Sequence, residues 1–264
     1  LRAMTDVIVH RGPDGADTWV DPEVGVGFGH RRLAIVDLSE AGRQPMGSAN
    51  GRYVITYNGE IYNHEELSRE LVAEGVRFRG HSDTEVLLEG IVRWGLDATL
   101  DRADGMWAFA LWDRERRELS LSRDRLGEKP LCYGRLGSGA FVFASTLDAL
   151  RRRPDFDAPL DRDALALFFR HKYVPAPWTI HRDVHKVLPG HVVTVGADGR
   201  VTGDRAYWSF YDVVAGAETF SGSDTDAVDE LDRLIRRSVR RRMHADVPLG
   251  AFLSGGIDSS SIVA

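Results

Sequence analysis

Residues 57–63 read Tyr-Asn-Gly-Glu-Ile-Tyr-Asn and follow directly on the run Tyr53-Val-Ile-Thr-Tyr57. A short run rich in aromatic and β-branched residues marks a strand, and Asn58-Gly59 is the commonest hairpin dipeptide. Taken alone, the stretch is a strand and a turn. Three other segments flank it: His10-Arg-Gly-Pro-Asp-Gly15, Gly29-His-Arg-Arg-Leu-Ala-Ile-Val-Asp37 and His81-Ser-Asp-Thr-Glu-Val86. Each has an ordinary explanation, turn chemistry for the first and a Ser82 helix cap with Glu85 as third residue for the last. Turns and caps do not account for their joint order, nor for Ser122-Arg-Asp-Arg-Leu-Gly-Glu-Lys-Pro-Leu131 and Phe143-Ala-Ser145 further along.

The chain has 264 residues, 43% hydrophobic and 28% charged, the balance of a folded globular protein with one large or two ordinary domains. A formal charge of -6 disfavours a general nucleic-acid binder, although Arg151 to Arg153 and Arg240 to Arg242 form local basic runs that read as solvated surface and helix ends. No apolar run approaches the roughly 18 residues needed to cross a bilayer. With one cysteine, Cys132, an intrachain disulfide is excluded and a reducing, cytoplasmic location is expected. Nine histidines give little support to a metal enzyme. His181 and His185 share helical spacing but sit in a segment read as extended, so solvent-facing structural roles are expected; His30 and His64 read as turn or cap residues.

From Gly25 to about Ser145 short strands dominate, among them Met106-Trp-Ala-Phe-Ala-Leu-Trp112 and Ala140-Phe-Val-Phe-Ala144. Helical spacing interrupts them over His64 to Glu74, with Leu67 and Leu71 on one face, and over Asp83 to Trp94, with Val86, Leu87 and Ile91. That mixture predicts a layered α/β domain. A helix is predicted over about Asp161 to His171, an extended crossing at Tyr173-Val-Pro-Ala-Pro-Trp-Thr-Ile180, and a hairpin from Val187 to Val195 through Asp198-Gly199. Small polar residues from Ala215 to Ser223 form the best linker. Beyond it a helix over Asp226 to Met243 carries its acids early and its arginines late, which suits the helix dipole.

Residues 250–264 read Gly-Ala-Phe-Leu-Ser-Gly-Gly-Ile-Asp-Ser-Ser-Ser-Ile-Val-Ala. An apolar run expected to be a buried strand leads into two glycines and a helix expected to start near Asp258. Backbone N–H groups and the hydroxyls of Ser254, Ser259 and Ser260 would then surround an anion. No Gly-Lys-Thr/Ser follows, so this is not the loop of γ-phosphoryl transfer enzymes. It is similar to the pyrophosphate loop of enzymes that cleave ATP between its α and β phosphates.

Together these motifs, with Tyr173-Val-Pro-Ala-Pro177 and Lys186-Val-Leu-Pro-Gly-His191, closely resemble the glutamine-hydrolysing asparagine synthetases over essentially the whole chain. The resemblance implies a class II glutamine amidotransferase of the N-terminal-nucleophile αββα fold over residues 1–212. It further implies the beginning of an α/β ATP pyrophosphatase domain over residues 224–264. It implies glutamine, aspartate and ATP as substrates, with Mg2+, and allows a homodimer in the full-length form. By motif, Arg32 would hold the glutamine α-carboxylate, Glu60 and Asp83 its α-ammonium, and Asn58 with the Gly59 N–H would form the oxyanion hole. Ser254, Gly255, Gly256, Asp258 and Ser259 would meet ATP, with the Leu253 backbone beside the nucleoside and Asp258 near magnesium.

Three departures from the family pattern stand out. Its Met-Cys-Gly start and first strand, which supply the nucleophilic thiol, are expected before Leu1, and the aspartate-binding residues beyond Ala264, so both ends read as truncated and the chain alone as inactive. Cys132 stands where the pattern usually has tyrosine and reads as a small core residue. Thr146 stands where the family often has glutamate. Another glutamine-dependent amide ligase, a β-lactam synthetase-like enzyme and a noncatalytic glutamine-binding module remain as alternatives.

Overall fold

The computed structural model describes residues 1–264 and resolves into four layers over most of its length. Helix α1 (Arg2–Asp6) precedes a two-stranded ribbon, β1 (Gly15–Asp21) and β2 (Val26–Arg32). Strands β3 (Met46–Gly47) and β4 (Tyr53–Ile61) lead to helices α2 (His64–Ala73), α3 (Asp83–Trp94) and α4 (Leu96–Arg102). Then come β5 (Gly105–Asp113), β6 (Glu118–Arg123), β7 (Cys132–Arg135), β8 (Phe141–Ala144), α5 (Leu147–Arg151) and α6 (Arg162–His171). Strands β9 (Val184–Lys186), β10 (His191–Val195) and β11 (Val201–Ala206) complete the sheets, and α7 (Phe210–Ala215), α8 (Asp224–Arg241) and α9 (Ile257–Val263) follow.

The central sheet is antiparallel in the order β11-β10-β6-β5-β4-β3, and a smaller sheet runs β8-β7-β9. Alternation along the strands explains the layering, because successive side chains point to opposite faces. On β4, Ile55, Tyr57 and Ile61 join Leu67, Leu71, Leu87, Leu88 and Ile91 of the helices in one core, while Val54 turns the other way. A second core, built on Phe28, Trp112, Leu121 and Val193, fills the space between the central sheet and the other strands. A third, with Cys132, Val142, Leu150 and Val184, lies under α1 and α5. The result is the αββα sandwich that the family resemblance implies, and a layered α/β domain as the residue pattern predicts.

Several local expectations need correction. Asn58-Gly59 is no hairpin turn: both residues lie in mid-strand, paired with Ala108 and Trp107 of β5. The hairpin near Asp198-Gly199 joins β10 to β11, whereas Val187 has left β10 for the core contact below β7. His181 is buried rather than solvent-facing, with Nδ1 2.9 Å from the Ala158 carbonyl and its ring edge-on to Phe156. The run before Ser254 is not a buried strand. Phe252 is fully exposed, Leu249 and Leu253 are more than half exposed, and no strand of this chain pairs with them. A strand's polar backbone needs a neighbouring ladder, and none is at hand there.

Leu87, in the middle of α3, is fully buried between the helices and β4. Leu87→Ala is expected to destabilise the fold by about 2–5 kcal/mol through lost transfer energy and a residual cavity. Urea unfolding followed by tryptophan fluorescence measures it, and a loss below about 1 kcal/mol would show that this core is not close-packed.

Candidate active site

The open edge of β4 organises the site. On the β5 side the ladder is complete from Tyr53 to Ile61, but β3 covers the opposite edge only at Val54 and Ile55. Beyond it, side chains take over the ladder's work. Gln44 Oε1 accepts the Tyr57 N–H at 2.7 Å, and Asp83 Oδ2 accepts the Ile61 N–H at 2.9 Å. Alternation turns the Gly59 N–H the same way, into the gap between those two side chains. A Cβ on Gly59 would collide with the Met106 carbonyl oxygen and lie 2.9 Å from the Tyr57 hydroxyl, so only glycine fits.

Asp83 is placed by three devices. It opens α3 directly after Ser82, whose hydroxyl accepts the Glu85 N–H at 3.3 Å. The preceding loop is tied down by buried Glu85, which accepts from the Arg79 and Gly80 N–H groups and pairs with the Arg79 guanidinium at 2.9 Å. Finally the Tyr57 hydroxyl donates to Asp83 Oδ2 at 2.9 Å. Burial pushes the Asp83 carboxyl above its usual range, against the help of the Ile61 and Tyr57 donors. Glu60 is half-buried, and its carboxyl is also raised, first by burial and then by the charge of Asp83. Two acids, both carrying an energetic penalty for ionising, thus await a cation.

Arg32 ends β2 across the cavity. Its guanidinium donates to the carbonyls of Ser39 at 3.2 Å, Val36 at 3.4 Å and Asp37. These are neutral acceptors, and no Asp or Glu pairs with it, so its charge is left for an anion. His30, two residues earlier, sits 3.1 Å from the Thr56 hydroxyl; burial, then the charge of Arg32, push its imidazole down to about 4, which keeps it neutral.

Arg32, Asn58, Gly59, Glu60 and Asp83 all line one cavity of about 570 Å³, with Gln44, His30 and Lys129. The five residues singled out for the first domain are therefore brought together. The serine–glycine loop is not part of this cavity. There Gly255 adopts φ 80°, Ser254 and Ser259 share a 3.0 Å hydroxyl contact, and α9 starts at Ile257 with no side-chain cap on its N–H groups. Asp258 lies in its exposed first turn. Cys132 is buried in the third core away from the cavity, and burial pushes its thiol up, the opposite of an activated nucleophile. Thr146 precedes α5 with its hydroxyl buried and unpartnered.

Gln44 carries no motif, and the Tyr57 hydroxyl falls inside one without announcing a role; only the open strand edge reveals them. His64, Glu65 and His244 bring possible ligand atoms within 4.8 Å of one another. Yet the trio lies at the N-terminus of α2 beside Arg241, which pairs with Glu66, and Arg242, which stacks on Tyr62. The helix dipole and two guanidinium groups oppose a cation there.

The layered sheets are those of the class II glutamine amidotransferase fold. Residues 1–208 match the model of the glutamine amidotransferase domain, and the chain belongs to that family. Residues 230–264 match the asparagine synthase model. Among relatives, asparagine synthetase [glutamine-hydrolyzing] 3 of Bacillus subtilis is 41% identical over 99% of this chain and 41% of its own length. A putative asparagine synthetase [glutamine-hydrolyzing] of Mycobacterium tuberculosis is 40% identical over 97% of this chain and 40% of its own. The chain thus spans about two fifths of these relatives. The glutamine phosphoribosylpyrophosphate amidotransferase of B. subtilis shares the fold, with a TM-score of 0.50 and 23% identity over 69% of this chain and 35% of that one.

For an acid whose folded pKa lies above its unfolded value, the folded state binds protons more tightly, so stability declines as pH rises from the unfolded value through the folded one. Asp83 is such an acid. Asp83→Asn, which keeps an acceptor for Tyr57 and Ile61, is expected to raise the melting temperature at pH 7 and to flatten its decline between pH 4 and pH 7. Melting curves across that range check it; an Asn variant less stable than the parent at pH 7 would contradict the assignment. Gly59→Ala is expected to lose about 1–3 kcal/mol by overpacking against β5 in a denaturant titration.

Proposed function

We propose that this chain is the glutamine-hydrolysing part of an ATP-dependent asparagine synthetase, residues 1–212 forming the amidotransferase and residues 224–264 the start of the ATP-binding domain. The observation that carries the reading is one cavity with an acid-free guanidinium on one wall, a strained pair of carboxyls on another and a strand N–H aimed between Gln44 and Asp83. An α-amino acid offers a carboxylate and an ammonium on one carbon. Arg32 takes the carboxylate through parallel N–H donors, and Glu60 with Asp83 takes the ammonium, whose charge offsets the repulsion between them. The side-chain amide of glutamine then reaches the Gly59 N–H and the Asn58 amide. As a thiol attacks, its carbonyl oxygen gains charge, and donors already fixed by β4 stabilise it without reorganising.

The thiol in this reading is the family's N-terminal cysteine, not Cys132. Ammonia is then used at the second domain, where aspartate is the acceptor. When bound, ATP supplies the adenylyl group that activates the acceptor carboxylate. Ser254, Gly255, Gly256 and Ser259 would hold its phosphates, the Leu253 backbone would lie by the nucleoside and Asp258 would hold Mg2+. The uncapped N–H groups at the start of α9 suit that anion. We further infer a cytoplasmic enzyme without nucleic-acid or membrane partners and, in the full-length form, a homodimer; the net charge of -6 disfavours a general nucleic-acid binder.

In the whole protein, Asn58→Ala is expected to lower kcat for ammonia release by about 10²–10³-fold with KM little changed, because it removes a transition-state donor. Arg32→Ala instead removes a contact made equally before and during reaction, and is expected to raise KM for glutamine about 10- to 100-fold, the worth of a charged hydrogen bond. Steady-state ammonia release separates the two. If both variants kept the parent's kcat and KM, this pocket would not be the glutamine site.

A further inference from the structure

One carboxylate from outside the cavity ties its two walls together. Asp246 lies between α8 and the serine–glycine loop, more than 160 residues from either wall, as the separation of 165 from His81 shows. Its Oδ2 accepts the Asp37 N–H at 2.7 Å and faces His81 Nε2 at 2.7 Å. Its own N–H donates to the Ile35 carbonyl at 2.9 Å.

Both partners lead directly to clamp residues. The Asp37 carbonyl accepts from the Arg32 guanidinium, and the fully buried Asp37 carboxylate accepts the His81 N–H at 2.9 Å, which joins the two loops a second time. His81 is followed by Ser82, the cap that sets Asp83. Asp37 itself sits at φ 55°, a left-handed conformation that Asp tolerates better than most residues with a Cβ but still at a cost, and its N–H donates to Asp246 in that conformation.

The geometry assigns Asp246 as a positioning residue for the amino-acid clamp. By holding Asp37 and His81 on one oxygen, it fixes the separation between Arg32 and Asp83, and so the span between the groups that meet a ligand's carboxylate and ammonium. This rests on the proposal that the cavity takes glutamine by those two groups. Charge supports it, since His81 draws the Asp246 carboxyl below its usual range and is itself raised in return.

The test uses the full chain, with L-glutamine as ligand in calorimetry and residue-resolved amide exchange at Asp37 and His81. Asp246→Ala is expected to speed exchange at both amides at least tenfold and to weaken glutamine binding about tenfold, with the melting temperature of the rest of the fold retained. Asp246→Asn, which keeps the acceptor oxygen, should restore most of both. Unchanged exchange at Asp37 and His81 in the Ala variant overturns the assignment, as does unchanged glutamine affinity in a chain whose binding Arg32→Ala weakens. A parent chain that binds no glutamine refutes the glutamine reading instead. Exchange at the two amides then decides on its own whether Asp246 locks the walls.

Discussion

The pairing of β4 with β5 is the constraint on which the remainder depends. It runs unbroken from Tyr53–Asp113 to Ile61–Gly105, and by fixing one edge of β4 it determines what the other edge presents. Every second N–H along that free edge has to find a partner in a side chain, a neighbouring strand or a ligand. Gln44 and Asp83 meet two of them, and each brings a loop or helix with it. The cavity is the space left between those two attachments. Its walls are therefore consequences of backbone accounting before they are features of chemistry.

The same constraint explains the electrostatics. Asp83 is drawn into a buried position because the strand end and the Tyr57 hydroxyl need an acceptor, and its raised carboxyl is the result. Glu60, alternating to the cavity face of β4, then feels both burial and that charge. Arg32 is held opposite by carbonyls rather than acids, so neither wall neutralises the other. Each wall therefore keeps its own imbalance, a guanidinium without an acid partner on one side and two carboxyls disfavoured as anions on the other.

Much of the layering was legible in the sequence because periodicity reports directly on faces. The apolar spacing of Leu67, Leu71, Val86, Leu87 and Ile91 marked the helices over the sheet, and Cys132 was recognisable as a core residue because it stands where the family pattern usually has tyrosine. The candidate site residues were legible only as motifs, since each taken singly had a turn or cap explanation. Asn58-Gly59 shows the limit: the dipeptide favours a hairpin, but nine residues of pairing with β5 override that local preference and put both residues in mid-strand. Gln44, Asp37 and Asp246 could not be found from spacing, because their roles arise from contacts between distant segments. The run before Ser254 misled for the converse reason, as apolar composition signals a strand only where a ladder exists to receive it.

The attachment of α8 differs in kind from the rest of the molecule. Its apolar residues Val228, Leu231 and Leu234 stay exposed, and the helix end meets the first domain through Arg241 on Glu66 and Asp104, Arg242 over Tyr62, and His244 beside Glu65. Such a junction is made of exchangeable partners, each of which water and ions can replace at little loss. Dissolved salt therefore loosens this end of the helix more readily than the Asp246 bonds beyond it, which close on the buried Asp37.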